Sequence, residues 1–172
     1  MEHGATELYV NTLIIDGGSL IIEDPAEIIA DYVQIINGGS IICDFAYFSA
    51  SYTCSMVAPC VDLSLQANNL VLKSGGDINC SALIVNATYI DVGYNSSISS
   101  SFRGATDSSV GLSGGSHGGI GGVGSPHLTI NSSTYDSVDY PLLPGIGGML
   151  TRGGGVLQVL SRYMRVGILA CR

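Results

Sequence analysis

One spacing recurs along this chain and limits what it can fold into. In Ala30–Ile41, Ala67–Ile78 and Ala87–Ile98, an Ala is followed three and five residues later by aliphatics: Val33 and Ile35, Leu70 and Leu72, Ile90 and Val92. A polar or Gly-containing turn comes next, and a further aliphatic stands eleven residues after the Ala. Tyr9–Leu20 carries the same spacing with Thr12, Ile14 and Leu20, and has Tyr where the other copies have Ala. A period of roughly 20 residues marks a stacked repeat, in which no unit can bury its own apolar face.

Within each copy the aliphatics fall two apart, the periodicity of a strand and not of a helix. The residues are β-formers as well: Ile14, Ile15, Ile35, Ile36, Val71, Ile90 and Val92. Gly17-Gly18, Gly38-Gly39 and Gly75-Gly76 punctuate three copies at one position, where the chain must turn sharply. The short stretch around Pro25–Ala30 is the one place compatible with a helix. Two short strands and a turn per unit, repeated in parallel, make one coil of a parallel β-helix, so the expected fold is an all-β solenoid of about five coils.

The copies start at Tyr9, Ala30, Ala67 and Ala87, and the long middle step implies an insertion near 45–61. That segment lacks the repeat and clusters Phe45, Tyr47, Phe48 and Tyr52 with Cys54 and Cys60. A degraded fifth copy is expected at Ser161–Val166, with Met164 and Val166 in the aliphatic places. The organisation read from the chain is therefore coils over 1–102, a glycine-rich insertion over 103–155 packed on or beside them, and a terminal coil over 156–172.

At 172 residues and 46% hydrophobic content the chain can build a continuous core. Its charge is uneven. Residues 1–102 hold eleven acids and one base, Lys73, whereas residues 103–172 hold five Arg and three Asp. An acidic body without a basic stripe or aromatic platform repels phosphate backbones, which argues against a nucleic-acid partner. The acids read as solvation of the outer face. Calcium bridging would need denser ligand spacing, and no cofactor or metal site is expected.

Met1-Glu2-His3 is acidic and lacks the apolar stretch of a secretory leader. No run of 18 apolar residues offers a membrane span; Arg162 and Arg165 interrupt Val156–Ala170. Yet Asn79, Asn86, Asn95 and Asn131 each begin an N-glycosylation sequon. With eight Asn and 30 Ser or Thr in the chain, chance would supply roughly one or two. Asn79, between the inward places of Ile78 and Cys80, is expected to point outward, and Asn95 to lie in a turn. Together these features suggest a piece of a longer extracellular or cell-surface protein, partnered by neighbouring coils.

Five cysteines leave at least one outside any internal pair, and Cys171 is the expected odd one. Cys43 and Cys80 each stand two residues past the aliphatic that ends a repeat, on adjacent coils if 45–61 is an insertion. They either form a disulfide or remain small buried thiols. Cys54 and Cys60 would then close the small loop. No Cys or His spacing fits zinc.

Fifteen of the 24 glycines lie between Gly104 and Gly155. Gly119-Ile-Gly121-Gly-Val-Gly124 matches GxGxxG, but no strand leads into it and Pro126 follows, which argues against a dinucleotide site. No Lys-Ser or Lys-Thr follows to make a P-loop. His117 among its glycines is similar to the Gly-His-Gly element of polygalacturonase-type glycoside hydrolases. That resemblance implies carboxylates acting as acid and base. Here no Asp-Asp pair occurs, and Asn11-Thr12 runs into Leu13 where those enzymes have Asp. His117 alone would remain as a weak carbohydrate site. Pectate-lyase chemistry would need a calcium-binding cluster beside a basic residue, and Lys73 reads instead as a solvated lysine.

The order of parts resembles the glycine-rich, right-handed parallel β-helix regions of large eukaryotic extracellular proteins, a pectin-lyase-like architecture. The residues that carry this are Gly114–Gly119 with the Gly-Gly-Ser-His-Gly-Gly form, Tyr135–Ser137, Pro141, Pro144, and Gly153–Gly155 running into Val156-Leu157-Gln158-Val159. The resemblance implies a single-stranded right-handed β-helix and a secreted scaffold with no catalytic residues. The expected function is a non-enzymatic structural or adhesive module that meets matrix or carbohydrate; the alternative is a carbohydrate-active enzyme of polygalacturonase or pectate-lyase type, or its degenerate relative.

Overall fold

Each repeat resolves into one long strand and one short one. A computed structural model describes residues 6–43, 61–100, 105–106, 146–147 and 155–167. The long strands are β1 (Thr6–Asp16), β3 (Ala26–Ile36), β5 (Leu63–Leu72), β7 (Ala82–Val92) and β11 (Val156–Val166). The short ones are β2 (Ser19–Ile22), β4 (Ser40–Cys43), β6 (Asp77–Asn79) and β8 (Ser97–Ser99). The long strands form one sheet in the order β1-β3-β5-β7-β11 and the short ones another in the order β2-β4-β6-β8. All the strand pairs joining β1, β3, β5 and β7, and all those of the second sheet, are parallel. The chain is all-β, and among the described residues there is no helix.

The chain divides into two compact units. The first comprises Met1–Phe45, Val61–Ser99 and Leu157–Arg172, and contains the two sheets. The second comprises Ala46–Cys60 and Ser100–Val156, where β9 (Ala105–Thr106) pairs in parallel with β10 (Ile146–Gly147). The aromatic and cysteine segment around Cys54 and Cys60, most of the glycine-rich segment with His117, and Asn131 and Cys171 lie outside the described residues.

Strand register piles like residues into columns. Leu13, Val33, Leu70 and Ile90 are successive partners, as are Ile15, Ile35, Leu72 and Val92. A third column is Leu20, Ile41, Ile78 and Ile98 in the short-strand sheet. Val33, Ile35, Ile41, Leu70, Leu72, Ile78 and Ile90 have no solvent exposure at all. A parallel ladder places one residue of each strand at the same height above its neighbour, so one aliphatic choice per turn of sequence fills a continuous core.

The first copy is shifted by one residue from its sequence reading. Val10 partners Ala30, Leu13 partners Val33 and Ile15 partners Ile35, not Tyr9, Thr12 and Ile14. Leu20 still partners Ile41, because the turn after β1 is one residue shorter than the turn after β3. Pro25–Ala30 is no helix either. Ala26 to Ala30 belong to β3, with Ile28 and Ala30 buried and Glu27 and Ile29 between them less covered.

The turns need glycine for two reasons. Gly38 and Gly75 have φ of +76° and +84°, where a side chain would be strained. Gly39 lies so close to the preceding rung that a Cβ would come within 2.5 Å of the Ile15 carbonyl oxygen, and a Cβ on Gly76 would collide likewise with Ile35.

Cys43 and Cys80, whose backbone neighbours Ile42 and Asn79 are rung partners, are joined by a disulfide with Cα atoms 4.7 Å apart and a sequence separation of 37. Met164 and Val166 occupy the fifth copy's aliphatic places, where the Gly167 amide donates to the Val92 carbonyl at 2.7 Å. Both remain more than half exposed. Among the described strands theirs is at the sheet's edge, with β7 on one side only.

Two outcomes test this packing. Leu70→Ala empties a fully buried column position and should destabilise the fold by about 2–5 kcal/mol in denaturant unfolding. Replacing Cys43 and Cys80 with Ser should lower stability by about 2–4 kcal/mol, and an unchanged unfolding midpoint would contradict the bridge.

Candidate functional site

A trough runs across the long-strand sheet where the alternation of inward and outward residues skips a place. The inward positions are spaced by two along β3 until Ala30, after which the next is Val33, three residues on. Val10, Ala30, Ala67 and Ala87 stack at this point. The residues on either side of this column stand outward as two walls. Tyr9, Ile29, Gln66 and Asn86 are rung partners and make one wall. Asn11, Asp31, Asn68 and Thr88 make the other, giving a trough of about 760 Å³.

The walls are mostly amide and hydroxyl groups. Asn68 Nδ2 donates to Asp31 Oδ1 at 3.0 Å across neighbouring rungs, and Gln66 Nε2 donates to Glu27 Oε1 at 2.6 Å just outside the trough. At the far end the Tyr9 hydroxyl donates to Glu7 Oε2 at 3.1 Å. That hydrogen bond, together with the Glu7 charge, raises the Tyr9 phenol above its usual value of 10.0. The side chains of Asn11, Asn86 and Thr88 hold no hydrogen bond to another described residue. Among the described residues Asp31 is the one carboxylate that lines the trough. The arrangement can therefore accept and donate hydrogen bonds to a polyol, whereas acid/base cleavage of a glycosidic bond needs a second carboxyl group opposite the first.

A second polar cluster lies on the same sheet, in the outward column Ile14, Gln34, Val71, Asp91. Arg165 of β11 grips Asp91 with two bonds, Nε to Oδ1 at 2.8 Å and Nη2 to Oδ2 at 2.5 Å. Lys73, just after β5, approaches Asp91 Oδ2 at 3.7 Å from the other side. The lysine read as solvated is half exposed and shares a carboxylate with Arg165. The cluster thus joins three successive rungs of the sheet. Although it faces outward, the Asp91 side chain is only 5% exposed, because the two long cationic side chains lie over it. The Arg165 hydrogen bonds hold its carboxyl below the usual 3.8, and the Arg165 and Lys73 charges act in the same direction, outweighing the burial that would push it up. Asp91 in turn raises the Arg165 guanidinium above its ordinary value, first through those hydrogen bonds.

The sequon residues are dispersed. Asn86 is exposed and forms part of the trough with Thr88 of the same sequon. Asn95 is exposed in the turn between β7 and β8 at φ +58°. Asn79 in β6 is half-buried and lies between the fully buried Ile78 and Cys80, the alternation expected of an outward residue. Sequence reasoning missed both the trough and the clamp. Each joins residues tens of positions apart, and only the alanine column hinted at the crease. Among the described residues no group of three or more His, Cys, Asp or Glu could hold a metal ion, and no helix is long and apolar enough to cross a membrane.

The clamp makes an acid-stability prediction. Asp91 has a lower pKa folded than unfolded, so its contribution is complete above about pH 4 and is lost as pH falls through the lower folded value. Wild-type protein should therefore lose thermal stability below about pH 4 more steeply than Asp91→Asn, which should be less stable at neutral pH. Parallel melting curves for the two proteins across that range would refute the clamp. The chain matches no protein-family profile, no curated protein sequence and no solved structure.

Proposed function

We infer that this chain is a non-enzymatic structural or adhesive module of a secreted or cell-surface protein, built as a single-stranded right-handed parallel β-helix. The observation that carries the reading is the regular exchange of the chain between two parallel ladders. Each of the first four passages through the long-strand sheet is followed by one through the short-strand sheet, and both advance by one rung in the same order. A ribbon coiled about one axis produces that pattern, and its stacked walls offer long, repetitive surfaces suited to contact with matrix or carbohydrate.

Two further features support this role. The Cys43–Cys80 bridge ties successive rungs, and such bonds persist in oxidising compartments. The trough lining supplies hydrogen-bonding groups with one carboxylate, itself engaged by Asn68, which suits contact better than hydrolysis. No described residue favours the polygalacturonase-like alternative, whose remaining candidate, His117, lies outside the described residues.

The test is to produce the full chain behind a secretion leader in eukaryotic cells and challenge the purified protein with a panel of plant, fungal and animal polysaccharides. The expected product is an oxidised glycoprotein that releases no reducing ends or unsaturated sugars. Release of either from any polymer, abolished by His117→Ala, would overturn the structural reading.

A further inference from the structure

We propose that an N-linked oligosaccharide carried on Asn86 lies along the trough and is its resident ligand, an inference that rests on the secreted reading above. The Asn86-Ala87-Thr88 sequon places its acceptor amide and its hydroxyl on opposite walls, because the residue between them is the inward Ala87, only 3% exposed. Asn86 stands in β7, the last of the four strands that line the trough. From there the trough runs past Gln66 and Asn68, then Ile29 and Asp31, to Tyr9 and Asn11. Three rung steps make a path of about 14 Å.

The lining suits a neutral sugar chain. Gln66, Asn68, Asn11 and Asp31 present donors and acceptors at each rung, matching the hydroxyl-dense edge of a saccharide. Ile29 and the exposed Tyr9 ring supply apolar surface for the carbon faces of the sugar rings. Asp31, with Glu7 and Glu27 beside the walls, disfavours uronate or sulfated chains by like charge. Asn79 and Asn95 lie outside the trough, so glycans there have no comparable seat.

The attachment balances chemically. The Asn86 side-chain nitrogen forms a bond to the first sugar's anomeric carbon. The bond from that carbon to the diphosphate of a lipid-linked oligosaccharide donor breaks, the lipid diphosphate leaves, and the amide nitrogen gives up one proton. The extending chain then runs along the wall from which it grows. Contact between this protein and its surroundings is thereby made over a sugar-filled crease and not through an empty one.

The experiment uses the full chain secreted from eukaryotic cells, site-by-site glycan occupancy by mass spectrometry, and timed digestion with an endoglycosidase that cuts within the glycan core. The expected result is an occupied Asn86 whose glycan is cut about tenfold or more slowly in native than in denatured protein. Gln66→Ala with Asn68→Ala should remove most of that protection and leave the cleavage rate at other occupied sequons unchanged. If Asn79, Asn95 or Asn131 carries glycan while Asn86 is bare, the inference fails and the secreted reading stands. The same holds if the Asn86 glycan is cut equally fast in both states. If no sequon is occupied, the secreted reading fails and the inference falls with it.

Discussion

The in-register parallel ladder is the constraint from which the rest follows. Once Val33 partners Leu70 and Leu70 partners Ile90, every other position along those strands is committed to a column of its own, inward or outward. Burial of the inward columns stabilises the stack, and the outward columns acquire continuous faces as a by-product. A one-residue slip anywhere would exchange the two sets, which is why each rung must compensate within its own turn. The turn after β1, shorter by one residue than the turn after β3, lets Leu13 and Leu20 both keep their places although the copy is one residue short.

The outward faces serve two different ends. Beside the alanine column, the amide-lined trough opens. Four residues past the alanine column along each strand, the outward column is closed by charge: Asp91 receives Arg165 from one neighbouring strand and Lys73 from the end of the other. An exposed ion pair contributes little by itself, but a carboxylate covered by its partners and gripped at both oxygens is better placed to fix β11 against β7. That clamp offsets the sparse coverage of β11, where Leu160, Met164 and Val166 are about half exposed.

The core was legible in the sequence because it depends on one residue type at one spacing. Val33 and Ile35, Leu70 and Leu72, Ile90 and Val92 could be aligned by eye, and the Cys43–Cys80 proximity followed from that alignment. The first copy is ambiguous by one residue because Ile14 and Ile15 are both aliphatic and Val10 and Leu13 adjoin Tyr9 and Thr12, so either frame gives a plausible strand. Pro25–Ala30 misled for a related reason. Glu27, Ala26 and Ala30 favour a helix locally, and the register with Leu63, Leu65 and Ala67 overrides that preference. The trough and the clamp were illegible because their members are neighbours only through stacking. Nothing about Arg165 in the linear chain distinguishes it from Arg162, and nothing about Gln66 connects it to Asn86.

The covalent tie between Cys43 and Cys80 has a topological outcome. Because it spans chain positions on both sides of the break in the repeat, the polypeptide between them is a closed ring grafted onto adjacent rungs. A protease that severs any peptide link inside that ring creates a new pair of chain ends without releasing a fragment. Only reduction after cutting would let the halves part, so nicking alone should pass unnoticed on a non-reducing gel.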